Sequence, residues 1–148
     1  MKNRKEIGLA VVGCGTIGRI RAIMARDYPG IGWIGLCDIN KELGKKLKED
    51  CNADFFCENY TELLKRPEVN AVIVATDENH HFGPIMASLE KNSSLFIEKP
   101  LATDLTESRD VLDKIRSANV DAVLGYTQRF RRRFLAVKQK LMDQKIGH

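Results

Sequence analysis

The sequence of 148 residues predicts a doubly wound α/β fold, one parallel sheet of about six strands with helices on both faces. Three observations predict it. Short apolar runs without polar alternation recur along the chain, as expected of strands covered on both faces. Segments with apolar residues at helical spacing lie between them. The two kinds alternate from end to end, which calls for right-handed crossovers between parallel neighbours. No repeat, low-complexity tract or linker interrupts the pattern, so residues 1–148 read as one domain.

The first strand is Ile-Gly-Leu-Ala-Val-Val at 7–12. Residues 16–28 follow with Ile17, Ile20, Met24 and Tyr28 at helical spacing, and Pro29-Gly30 ends that helix. Residues 33–37 form a second strand, and 41–50, with Leu43 and Leu47 four apart, a second helix. A brief strand at Phe55-Phe56 precedes a short helix over 60–65 that stops before Pro67. Ala-Val-Ile-Val-Ala at 71–75 is the clearest buried strand, and 84–91 a helix with Asn92 placed for a left-handed C-terminal residue. Residues 95–97 form a fifth strand. Residues 105–115 form a helix capped by Thr103 or Asp104, 122–124 a sixth strand and 130–142 a last helix.

Gly13-Cys-Gly-Thr-Ile-Gly18 stands between the first strand and the first helix, and Asp38 lies twenty residues past Gly18 at the end of strand two. Gly-x-Gly-x-x-Gly alone is a weak signal. In this context each glycine has its own purpose. Gly13 serves the tight turn, Gly15 the close approach of a pyrophosphate, and Gly18 the packing of helix against sheet. Amides of the first helical turn, at Thr16 and Ile17, then face the phosphates with the helix dipole behind them. Asp38 is placed to accept from the adenosine ribose hydroxyls, which favours NAD over NADP, although nearby Lys41 softens the repulsion of a 2′-phosphate. This is the fingerprint of a Rossmann fold. A methyltransferase also pairs a glycine-rich loop with a later acid, but Gly18 argues for a dinucleotide.

Composition excludes several classes. Hydrophobic residues at 43% and charged residues at 30% describe a globular chain. The net charge of +4 gathers near the two ends and reads as a solvated face or a contact surface, so no nucleic-acid partner is expected. No apolar run approaches membrane-spanning length and residues 1–6 are too polar for an export signal, so no membrane partner and a cytoplasmic location are expected. The cysteines Cys14, Cys37, Cys51 and Cys57 form no Cys-x-x-Cys pair and have no histidine at zinc spacing. Reduced buried thiols and no metal are expected.

In a doubly wound sheet, ligands sit beyond the carboxyl ends of the strands. Those ends carry the glycine loop, Asp38, residues 76–81, Glu98-Lys99-Pro100 and residues 125–130. The ordered set resembles the glucose–fructose oxidoreductase and inositol dehydrogenase family over essentially the whole chain. It comprises Gly13-Cys-Gly-Thr-Ile-Gly18, Asp38, Ala75-Thr76 followed by His81, Glu98-Lys99-Pro100, and Gly125-Tyr126 leading to Arg129-Phe130. The resemblance implies NAD(P)-dependent oxidation of a hydroxyl, or reduction of a carbonyl, on a sugar, cyclitol or related compound. It implies Lys99 as the catalytic residue beside the nicotinamide, and Glu98 orienting Lys99 or touching the nicotinamide ribose. It also implies Thr76 and His81 lining the cofactor, and leaves Tyr126 and Arg129 between substrate pocket, hinge and simple packing. Lys99 fits chemically, since an ammonium can hydrogen-bond a developing alkoxide. The chain departs from the family at Asp77, where proline is common, and at Asn92, where glycine is common.

Family members continue into a second domain that supplies most substrate contacts and the oligomer interface. On that resemblance, the chain is expected to be the cofactor domain of a longer homo-oligomeric protein, or an engineered single domain, that binds NAD but turns over little by itself. A dinucleotide-responsive regulator on the same fold is the other function class. Glu98-Lys99-Pro100 favours the enzyme.

Overall fold

The computed structural model describes residues 6–146. Its six strands are β1 (Ile7–Val12), β2 (Ile31–Cys37), β3 (Phe55–Cys57), β4 (Ala71–Val74), β5 (Ser94–Ile97) and β6 (Ala122–Leu124). They form one sheet in the order β3-β2-β1-β4-β5-β6, every neighbouring pair parallel. The chain therefore turns back at β1 and β4, and the strand order reverses there. That switch point is where a doubly wound sheet opens a ligand crevice.

The helices are α1 (Thr16–Arg26), α2 (Lys41–Asp50), α3 (Tyr60–Leu64), α4 (Phe82–Glu90), α5 (Leu105–Ala118) and α6 (Arg132–Met142). Side chains alternate across each strand, so β1 feeds both layers. Leu9 and Val11 join Ile34, Leu36, Ala22 and Leu47 under α1 and α2. Ala10 and Val12 join Val72, Val74, Ile85, Leu89, Leu95, Ile97 and Val111 under α3, α4 and α5.

Local chemistry sets the helix ends. Asn40 Oδ1 accepts from Glu42 N and Leu43 N to start α2, and Asn59 Oδ1 accepts from Thr61 N to start α3. Of the two expected caps for α5, Asp104 takes the role, accepting from Thr106 N and Glu107 N, while Thr103 turns to Asn79. Asn92, one residue beyond the C-cap Lys91 of α4, and Asn119, directly after α5, are left-handed, with φ of 57° and 52°.

Several expected bounds change: the helix expected over 84–91 is Phe82–Glu90, and that over 105–115 runs on to Ala118. The helix expected over 16–28 ends at Arg26, and its apolar stripe does not face the sheet: Ile17, Ile20, Met24 and Tyr28 are exposed while Gly18 and Ala22 are buried. Small residues win that face because the helix lies so close to β1 and β4. The last helix begins at Arg132, not 130, because a 3₁₀ turn over Thr127–Phe130 comes first. No residue of α6 is buried.

Candidate functional site

A cleft of about 830 Å³ opens at the carboxyl ends of β1, β2, β4 and β5. Of the ten residues the sequence singles out, eight line it: Gly13, Gly15, Thr16, Ile17, Asp38, Thr76, Glu98 and Lys99. Gly18 and His81 are buried behind the wall.

The glycine turn is built by exclusion. Gly13 has φ of +99°, and a Cβ there would strike the backbone of Ala75 and Thr76. A Cβ on Gly18 would run into Gly13 O, which is how α1 approaches the first turn so closely. Gly15 is different: a Cβ there meets nothing within 4 Å, because its missing side chain leaves space in the cleft. Gly15 is also the N-cap of α1, and no side chain caps the helix, unlike α2, α3 and α5. The first-turn amides, which have no intrahelical acceptor, are left to an anion in the cleft.

Asp38 is aimed by the backbone. Its Oδ2 accepts from Cys14 N at 2.6 Å and its Oδ1 from Asn40 N at 2.7 Å. A carboxylate has about four acceptor positions, so two remain for hydroxyl donors. Below it, Cys14 Sγ donates to Cys37 O at 3.6 Å. Burial, with Asp38 adding to it, pushes the Cys14 thiol up to about 12. Burial likewise raises Cys37, Cys51 and Cys57, and all four cysteines are free and buried. These thiols are floor, not nucleophiles.

On the opposite wall, Lys99 is exposed at the end of β5, and among the described residues no carboxylate pairs with it. Glu98 does not hold Lys99. It is 9% exposed, and its Oε1 accepts from Arg21 Nε at 2.7 Å. Arg21, one turn past Ile17 on α1, also lies 4.9 Å over the Phe96 ring and lines the cleft. Reading by strand ends missed it because it sits on a helix. Its signal was the i, i+4 relation to Ile17, which puts both on one face.

His81 was expected to line a cofactor, and the structure puts its ring elsewhere. The imidazole is 1% exposed, with Nδ1 2.8 Å from Pro100 O and Nε2 3.1 Å from Thr76 O. It staples the loop after β4 to the loop after β5. Thr76 itself lines the cleft with its Oγ1 buried and, among the described residues, without a hydrogen-bond partner. Gly125 and Thr127 close the far side, while Tyr126 is exposed beneath the Arg129 guanidinium, 5.5 Å from its ring.

An open cradle at Gly15, uncapped amides, a carboxylate with free acceptor positions and an unpartnered hydroxyl fit a group with a diphosphate at its centre and hydroxyls on either side. Comparison with known proteins points the same way. Residues 7–126 match the family model described as an oxidoreductase family with an NAD-binding Rossmann fold. The chain is 26% identical over 139 residues to myo-inositol 2-dehydrogenase of Thermotoga maritima, covering 94% of this chain and 42% of that one. It is 26% identical over 143 residues to scyllo-inositol 2-dehydrogenase (NAD(+)) of Bacillus subtilis, covering 96% and 42%. The solved myo-inositol dehydrogenase of Lactobacillus casei, in complex with NAD(H) and myo-inositol, superposes with a TM-score of 0.88 at 25% identity, covering 97% and 43%. The chain thus spans about two fifths of the length of these relatives.

Proposed function

The chain belongs to the oxidoreductase family with an NAD-binding Rossmann fold, and from that premise we propose that it is the cofactor-holding domain of an enzyme that oxidises a cyclitol or sugar hydroxyl, or reduces the corresponding ketone. One observation carries the proposal. The open cradle at Gly15, the carboxylate of Asp38 and the exposed amino group of Lys99 all face one cleft.

Each residue then has a distinct role. The amides from Gly15 to Ile17 hold the diphosphate, and Asp38 takes the adenosine ribose hydroxyls. Thr76 and Glu98 border the nicotinamide end, and Arg21 fixes Glu98 there. Bound NAD supplies the acceptor for hydride. Lys99, as amine, accepts the substrate hydroxyl proton while the adjacent C–H hydride departs; in the reverse direction its ammonium returns that proton to the alkoxide. His81 acts at one remove by joining the two loops that carry Thr76 and Lys99.

In this reading, selection of the substrate and assembly into oligomers belong to a second domain; this chain covers 42% of the length of each of these relatives. No helix among the described residues is long and apolar enough to cross a membrane, and we infer a cytoplasmic enzyme.

Calorimetric titration with NAD, NADH and NADP tests the cofactor half. NAD and NADH are expected to bind more tightly than NADP. Asp38→Ala is expected to weaken NAD by about tenfold or more, the scale of hydrogen bonds to a charged group, and to narrow the gap to NADP. An unchanged NAD-to-NADP ratio removes Asp38 from the site.

A further inference from the structure

Asp38 is not alone at its edge of the sheet. Strands β2 and β3 are in register at Cys37 and Cys57, and Asp38 N donates to Cys57 O at 3.3 Å. The residues that follow, Asp38 and Glu58, therefore leave adjacent strands side by side, and both line the cleft. Glu58 is answered by a cation. Its Oε1 lies 3.4 Å from Lys41 Nζ, at the first position of α2.

That pairing bears on the charge a ligand meets beside Asp38. A 2′-phosphate on the adenosine ribose would need a cation there, because Asp38 repels it. Of the cations bordering the cleft, Arg21 is committed to Glu98, and Lys99 sits at the end of β5, on the far side of β1 and β4 from β2. Among the described residues, Lys41, three residues after Asp38 at the start of the flanking helix, is the cation placed beside this end, where it is paired with the cleft-lining Glu58.

Resting on the cofactor reading above, we propose that Glu58 is a specificity-determining residue: by engaging Lys41 it denies a 2′-phosphate its counter-charge and so completes the preference for NAD that Asp38 begins. The ion pair is half exposed, at 57% and 53%. Water and salt screen it, so the effect is modest and salt-dependent.

The test is displacement of NADH, followed by its fluorescence, with NAD and NADP as competitors at low salt. Wild type, Glu58→Gln, Lys41→Gln and the double variant are compared. Glu58→Gln is expected to raise the NADP-to-NAD affinity ratio by about three- to tenfold, the scale of one partly screened charge. The gain disappears in the double variant and shrinks at high salt. A ratio unmoved by Glu58→Gln, in a protein that still binds NAD, overturns this inference and leaves the cofactor reading standing. So does a gain that persists undiminished without Lys41. A wild type that binds neither NADH nor NAD overturns the cofactor reading, and the inference with it.

Discussion

At the scale of single residues, the side chains of this cleft divide into those that face a ligand and those that hold the facing ones still. Asp38 and Lys99 belong to the first group; Arg21 and His81 belong to the second. Each ring nitrogen of His81 lies within hydrogen-bond reach of one carbonyl, and the volume of the ring keeps both loops in place. His81→Ala leaves buried carbonyl oxygen without a partner, which costs about 1–3 kcal/mol. Urea unfolding should show that loss, and NAD affinity should fall with it because Thr76 and Lys99 sit on the released loops. Unchanged stability would mean that the loops need no staple. In the sequence, His81 reads as a lining residue through the family resemblance that Ala75-Thr76 followed by His81 helps to carry. What the sequence does not show is that the chain turns there so that the ring points inward, toward Pro100.

At the scale of elements, the fold was largely legible, because the central strands are apolar runs of the kind that burial on both faces explains. All six strands fall where their apolar runs lie, within a residue or two at the ends. The exception is informative. The spacing of Ile17, Ile20, Met24 and Tyr28 marks a helix but not its buried face, since Gly18 and Ala22 give α1 the closest approach to the sheet. Side-chain size, not hydrophobicity, chose that face. The Arg21–Glu98 pair was illegible for a related reason: it joins residues 77 apart through a geometry that exists only after α1 has docked. The glycine turn gives a paired prediction. Gly15→Ala should fold with little loss of stability, since its Cβ meets nothing within 4 Å, but should weaken NAD by crowding the cradle. Gly18→Ala should destabilise by a few kcal/mol, on the order of an overpacked core site, because its Cβ strikes Gly13 O. Thermal melts with and without NAD separate the two. Equal behaviour would refute the division of labour between these glycines.

At the scale of the whole molecule, two features stand apart from the cleft. One is an electrostatic tie: Asp54 Oδ2 accepts from Ile34 N at 2.8 Å and from Arg26 at 3.0 Å, fastening the end of α1 to β2 and the approach to β3. Partial burial pushes the Asp54 carboxyl up, but the Ile34 amide and Arg26 outweigh it and hold it below its ordinary 3.8. A depressed folded value stabilises fully above about 3.8 and is lost as pH falls through the folded value. Asp54→Asn should therefore be less stable than wild type at neutral pH, with the difference closing below about pH 4; a difference that stays constant on acidification would contradict it. The other feature is exposed apolar surface along α1 and on α6, where Phe134, Leu135, Val137, Leu141 and Met142 are all exposed. Dinucleotide binding in the cleft is read residue by residue when the ¹⁵N-labelled protein is titrated with NAD. The largest amide shifts should fall at Gly15, Thr16 and Ile17, with Asp38 and Ile39 moving in step; saturating NAD that leaves these amides unmoved, or that moves a different surface, would contradict the account.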